Sequence, residues 1–178
     1  MSEHDLNDHP VLAAIRQRRS IRRFTDEPVT REQILAVLEA GRWAPSGLNN
    51  QPCRFLVIAK DDPRREALAG LTKYAHVVRD CHVMIALLLD KSKLYNARKD
   101  HQAAGAAAQN MLLAVHALGL GAVWLGEIIN QEPDVLAALH LDSEHYELQA
   151  VLALGHPDQN GSAERVPLSQ YVLEDFVR

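Results

Sequence analysis

Apolar residues recur along the chain with two different periods, and the switches between them mark out the elements. From Pro10, a residue suited to a first helical turn, Val11, Leu12 and Ile15 are spaced for a helix that runs into a cluster of arginines. "TREQILAVLEAG" opens with Thr30 three residues ahead of Gln33, the capping-box pattern, then carries Ile34, Leu35 and Leu38 and stops at Gly41. The stretch "RWAPSGLNNQPCRF" is rich in Pro, Gly, Ser and Asn, so it reads as a long polar loop, and it leads into a β-leaning run from Phe55 to Ala59. "DPRREALAGLTKYAHVVRD" predicts a helix entered at Pro63. Val83 to Leu89, short and continuously apolar, predicts a fully buried strand.

The longest helical stretch is "DHQAAGAAAQNMLLAVHALG", with alanine at 103, 104, 106, 107, 108, 114 and 117 and Gly119 as its end. Side chains this small let a second helix approach closely, either within one core or at a subunit interface. After it, Ala122 to Leu125 predicts a short strand, "QEPDVLAALH" a short helix and "YELQAVLALG" a strand ended by Gly155. A polar loop, "HPDQNGSAER", and an apolar tail, "VPLSQYVLEDFVR", complete the chain. Few strands among more helices, in this order, predict an α+β fold, and residues 1–178 read as a single domain with no internal repeat.

Composition narrows the function. The 178 residues are 47% hydrophobic, enough for one sizeable core. No apolar run approaches the ~20 residues that cross a bilayer, and the polar, acidic start "MSEHDLNDHP" is unlike a leader, so a cytoplasmic protein without membrane contact is expected. Cys53 and Cys81 have no CxxC spacing and the nine histidines no HExxH pattern, so neither a disulfide framework nor a metal site is expected. A net charge of -4 argues against nucleic acid as partner. GxGxxG and GxxxxGK[ST] signatures are both missing.

Against this acidic background, "RQRRSIRRF" places five arginines between Arg16 and Phe24, and a local cluster needs a local partner. It could be a solvated helix end opposing the macrodipole. A nucleic-acid strand would need more aromatic residues than Phe24 and Trp43. A discrete anion such as a phosphate suits the planar donors of Arg18, Arg19 and Arg22 with the Ser20 hydroxyl.

Four motifs, "RRSIRRF...PV", "APSGLNNQP", "GAAAQNMLLAVHALGLGAVWLGEI" and "ERVPL", occur in an order that resembles the short form of the FMN-dependent nitroreductase family. The resemblance covers nearly the whole chain. It implies a nitroreductase-like fold, a central mixed, mainly antiparallel sheet flanked by helices, in an intertwined homodimer with two interfacial sites. It makes Arg18, Arg19, Ser20 and Arg22 ligands of the FMN phosphate, ribityl chain and pyrimidine edge, with Arg22 beside N1 and O2, and it adds Arg165 at the phosphate. Arg16 and Arg23 are left to solvent. Pro45, Ser46, Gly47 and Asn49 would reach the flavin of the opposite subunit. Leu125 and Gly126 would face the isoalloxazine, with the Gly126 N–H toward N5. The apolar tail Leu168 to Val177 would extend across the partner.

The activity implied is hydride transfer from NADPH or NADH to the flavin, then to a nitroaromatic, quinone or similar small acceptor, in a ping-pong cycle. That scheme needs no side-chain acid or base. His101 and Glu127 are the nearest candidate proton donors, and both read more naturally as structural. Other uses of the scaffold stay open: dehydrogenation, dehalogenation, flavin fragmentation, or flavin binding without turnover. The long inserted lid of several specialised members is missing. One departure stands out: Ala103 occupies a position where the family commonly has Asp, and Asp100 lies one helical turn earlier.

Overall fold

Two strands that read as almost unbroken apolar runs lie at the centre of the sheet, because both of their faces are covered. The computed structural model describes residues 9–174. Its helices are α1 (Pro10–Gln17), α2 (Arg31–Arg42), α3 (Arg64–Ala69), α4 (Ala75–Asp80), α5 (Ala97–Ala117) and α6 (Glu132–Ala138). Its strands are β1 (Cys53–Ala59), β2 (Val83–Asp90), β3 (Gly121–Leu125) and β4 (Tyr146–Gly155). The sheet order is β1-β2-β4-β3, antiparallel throughout, and a bridge between Ser20 and Ala122 adds one parallel pairing at the β3 edge.

Alternation along β2 divides the core into two layers. Met84, Ala86 and Leu88 face α3, α4 and α6 through Leu68, Val77, Val78, Val135 and Leu136. Val83, Ile85, Leu87 and Leu89 face α2 and α5. On β4, Ala150, Leu152 and Leu154 share the α5 side, whereas Leu148 joins Val151 and Ala153 on the other. A register shift produces this: Leu87 pairs with Ala150 but Leu88 with Leu148, leaving Gln149 as the extra residue of a bulge.

The Thr30–Gln33 capping box opens α2 as expected, with Gln33 N–H donating to Thr30 Oγ1 at 3.2 Å and Thr30 N–H to Gln33 Oε1 at 2.8 Å. Gly41 does not stop the helix. It lies inside α2, buried, where a Cβ would come within 2.8 Å of Met111 Cγ, so this glycine sets how closely α2 packs on α5. Gly119 does end α5, at φ 73°.

The helix predicted from Pro63 to Asp80 is two short helices. Between them Thr72 Oγ1 accepts from Tyr74 N–H at 3.2 Å and donates to Glu127 Oε2 at 2.8 Å, a side-chain competitor for the backbone drawn in from the far end of β3. The buried Arg65 ties the pair together, donating to the Val78 carbonyl and, at 2.6 Å, to that of Cys81 at the end of α4. The last part of the predicted apolar tail, residues 175–178, lies outside the described residues.

Candidate functional site

Where α1 ends, Arg18 leaves the helix in an extended conformation (φ -54°, ψ 129°) and the chain crosses the end of the sheet. Ile21 N–H donates to the Ala122 carbonyl at 2.9 Å, Thr25 N–H to that of His156 at 2.9 Å, and Asp158 N–H to that of Arg23 at 3.0 Å. Missing side chains make the crossing possible: a Cβ on Gly121 would sit 2.8 Å from Ile21, and one on Gly161 would sit 2.4 Å from Arg19 Cβ.

This crossing gathers positive charge. The Arg18 guanidinium is held below its ordinary pKa, first by burial and then by the nearby Arg165 and Arg19 cations. Its Nε is buried without a hydrogen-bond partner among the described residues. Arg42, Arg54, Arg64 and Arg79 each pair with a carboxylate, but among the described residues Arg18, Arg19, Arg22 and Arg165 pair with none. Cations brought together, partly desolvated and left uncompensated suit an anion with several acceptor oxygens, as a phosphate ester has. The adjoining cleft, about 510 Å³, is lined by Arg18 and Arg19, by Val115 and His116 of α5 and by Asn160 and Gly161.

The predicted residues divide by what their side chains are free to do. Arg19 turns one terminal nitrogen back onto the carbonyls of Arg16 and, at 2.9 Å, Arg18, where it caps α1. Arg22 is exposed, as is Arg165, whose Nη1 donates to the Glu164 carbonyl at 2.9 Å. Ser20 is half-buried beside Ala122. At the other end of β3, Leu125 is 1% exposed, so only its backbone is available, and half-buried Gly126 begins the turn. Glu127 is engaged by Thr72, and His101 Nε2 lies 2.7 Å from Glu147 Oε1, so both candidate proton donors already have partners.

The Pro45 to Asn49 loop folds separately from the arginines. Asn49 N–H donates to the Ser46 carbonyl at 3.1 Å, Asn50 N–H to that of Gly47 at 3.0 Å, and Gln51 N–H to Ser46 Oγ at 3.0 Å. Leu48, Asn49 and Gln51 have φ of 53°, 54° and 50°, a left-handed run that shapes the tip. Pro45 and Asn49 are exposed and Leu48 is 86% exposed. Asn50, which the sequence reading passed over, is the anchor: its Nδ2 donates to the Lys93 carbonyl at 2.6 Å and to Asp100 Oδ1 at 3.1 Å. The doubled asparagine of "GLNNQP" was the available signal.

Ser46 and Gly47 face Lys99, Gln102, Ala103 and Ala106 near the start of α5, whereas Arg18 and Arg19 face Val115 and His116 near its end. Twelve residues separate Ala103 from Val115, ~18 Å at ~1.5 Å per residue. One chain therefore does not bring the two groups of predicted residues together.

Residues 15–75 and 62–156 match the model described as the nitroreductase family. The chain is 30% identical, over 93% of its length and 73% of the relative's, to the NADPH-flavin oxidoreductase of Vibrio harveyi. It is 31% identical, over 93% of its length and 74% of the relative's, to the oxygen-insensitive NADPH nitroreductase of Salmonella typhimurium. A Desulfovibrio desulfuricans protein crystallised in complex with FMN is 61% identical and superposes with a TM-score of 0.95 over 96% of this chain and 99% of that one.

Proposed function

The chain belongs to the nitroreductase family, and from that premise we propose that it is an FMN-dependent NAD(P)H oxidoreductase that works as a homodimer. The observation that carries the reading is Arg18, half-buried, crowded by Arg165 and Arg19, and unpartnered at Nε among the described residues. The distance along β3 from this crossing to Gly126 supports a long ligand. Ile21 is tied to Ala122, and four further residues of strand lead to Gly126, ~13 Å at ~3.3 Å each, a span suited to a flat ring joined to a phosphate by a five-carbon chain.

Bound FMN supplies the redox chemistry, taking a hydride from NAD(P)H at N5 and passing it to a nitroaromatic, quinone or similar acceptor in a ping-pong cycle. Arg18 and Arg165 hold the phosphate, and Ser20 and the free donors of Arg19 address the ribityl chain. Arg22 presents its guanidinium to the pyrimidine edge, where positive charge favours the reduced form. Gly126 offers a backbone N–H toward N5 without a side chain to obstruct that face, and Leu125 contributes backbone alone. Pro45, Ser46, Gly47 and Asn49 wall the flavin of the partner subunit, which the separation along α5 requires if all the residues serve one site. Protons come from solvent, since Glu127 and His101 are engaged elsewhere.

The test is the visible spectrum of the purified protein, supplied with FMN and recorded before and after anaerobic addition of NADPH or NADH, with light scattering for assembly. Bleaching of bound flavin and twice the chain mass are expected. Bound flavin that stays oxidised with both nicotinamides refutes the reductase; a monomer with full activity refutes the shared site.

A further inference from the structure

Asp100 is 0% exposed, carries a charge, and has no part in the redox scheme. Its two oxygens do different work. Oδ2 accepts from the N–H groups of Tyr95 at 3.0 Å and Asn96 at 2.8 Å, the two residues just ahead of α5. Oδ1 accepts from Asn50 Nδ2 at 3.1 Å, fifty residues away. A helix start needs only the first oxygen. Asn96 already caps α5 conventionally, its side chain accepting from Lys99 N–H at 3.2 Å.

The second oxygen reaches the loop. Asn50 directly follows the left-handed residues Leu48 and Asn49, and Gln51 after it has the same sign of φ, so its side chain holds a stretch that ordinary residues avoid. Tyr95, fixed through its N–H by the same carboxylate, lies against the loop from the other side: a Cβ on Gly47 would stand 2.1 Å from Tyr95 Oη. Lys99 Nζ, 5.3 Å from the centre of the Tyr95 ring, braces that ring in turn. Asn50 Oδ1 is left buried and unpartnered among the described residues, so the amide is oriented for its donors alone.

We propose that Asp100 is a positioning residue, which through Asn50 and Tyr95 holds residues 45–51 in the shape that receives the flavin. The proposal rests on the reading of that loop as a cofactor wall. Burial pushes the Asp100 carboxyl upward, but hydrogen bonds from Asn96, Asn50 and Tyr95 outweigh it and hold the group below the ordinary Asp value, ionised at neutral pH.

Asp100→Asn separates the two duties. The amide oxygen still accepts from Tyr95 and Asn96, while its NH₂ group now confronts the Asn50 NH₂. FMN affinity, measured by quenching of flavin fluorescence on titration with apoprotein, is expected to fall at least tenfold, with the apoprotein melting temperature changed by only a few degrees. Adding Asn50→Asp sets an acceptor opposite the new donor but gives up the bond to the Lys93 carbonyl, so it should recover part of the affinity and of the visible circular dichroism of bound flavin. Asn50→Ala cuts the link from the loop side and decides the matter should Asp100→Asn fail to fold. Wild-type FMN affinity in Asp100→Asn or in Asn50→Ala overturns the proposal. A wild-type protein without FMN affinity refutes the flavin reading and this one with it.

Discussion

Replacing Arg18 with Ala should weaken FMN binding and leave the empty protein no less stable, and the opposition of signs is what makes the experiment decisive. In the ligand-free protein this guanidinium is partly desolvated, repelled by Arg165 and Arg19, and unpartnered at Nε among the described residues, so its removal relieves a cost. In the proposed complex it would make charge-assisted hydrogen bonds to the phosphate, worth ~1.5–3 kcal/mol each. Loss of one such contact corresponds to ~10- to 150-fold weaker binding at ~1.4 kcal/mol per tenfold. Arg165 is exposed, so Arg165→Ala belongs at the lower end of that range, and the double variant should lose less than the sum because both cations serve one dianion. The assay is a fluorescence titration with FMN and, in parallel, with riboflavin, which lacks the phosphate, alongside thermal melts of the apoprotein. Arg18→Ala should narrow the gap between the two ligands, and the double variant should narrow it further. If FMN and riboflavin weaken by the same factor, Arg18 does not hold the phosphate and the reasoning fails.

Four further outcomes follow from the packing and the titrating groups. Gly41→Ala places a methyl 2.8 Å from Met111 Cγ and 2.9 Å from Phe55 Cζ, and should cost ~1–3 kcal/mol in urea unfolding; an unchanged midpoint would mean that α2 and α5 separate freely. Leu152→Ala, at a position 0% exposed in the central strand β4, should cost ~2–5 kcal/mol by the same measurement. Asp62 is drawn down to about 2, chiefly by its hydrogen bonds from the Arg64 side chain. A depressed carboxyl stabilises the fold above the ordinary Asp value and loses that contribution as pH falls toward 2, so Asp62→Asn should be the less stable protein at pH 7 and converge with wild type in acid. The Cys53 and Cys81 thiols are both pushed up to about 11 by burial, so Ellman's reagent at pH 8 should label the native protein slowly and the guanidinium-unfolded protein fast.

Local chemistry was legible in the sequence wherever the cause was local. The capping box of α2, the left-handed glycine ending α5 and the apolar runs of β2 and β4 each depend on neighbours a few residues away or on burial from both sides. Elements set by distant contacts were not legible. The break between α3 and α4 depends on Thr72 meeting Glu127, and Gly41 reads as a helix stop until Met111 is seen against it. The candidate site divides in the same way. Arginine chemistry next to Ser20 was visible in the residues, but the return of Arg19 to its own helix end and the buried pairing of Asn50 with Asp100 belong to the fold. Ala103 is buried on α5, and Asp100, one turn earlier, carries the charge that reaches the loop.

The alanine-rich α5 looked equally suited to a core and to a subunit interface, and its burial separates the two roles. Ala104, Ala107 and Ala108 lie against Leu87, Leu89 and Ala150 of the sheet, and Asn110 Nδ2 donates to the Ala40 carbonyl of α2 at 3.2 Å, so these small side chains are used within the chain. Gly105 has open space where its Cβ would be, and Ala106 borders the cleft beside Ser46 and Gly47, so that face of the helix is the one left available to a second chain. Large apolar residues remain uncovered on the segments that would have to cross: Trp43 at 72% and Leu48 at 86% on the loop, Leu168 at 74% and Leu173 at 98% on the tail. A loop that cannot meet the arginines of its own chain, with apolar residues at its tip, is suited to meeting those of another. Dimerisation would then bury these residues and complete two flavin sites in the same step, and for that reason loss of assembly and loss of FMN affinity should accompany one another.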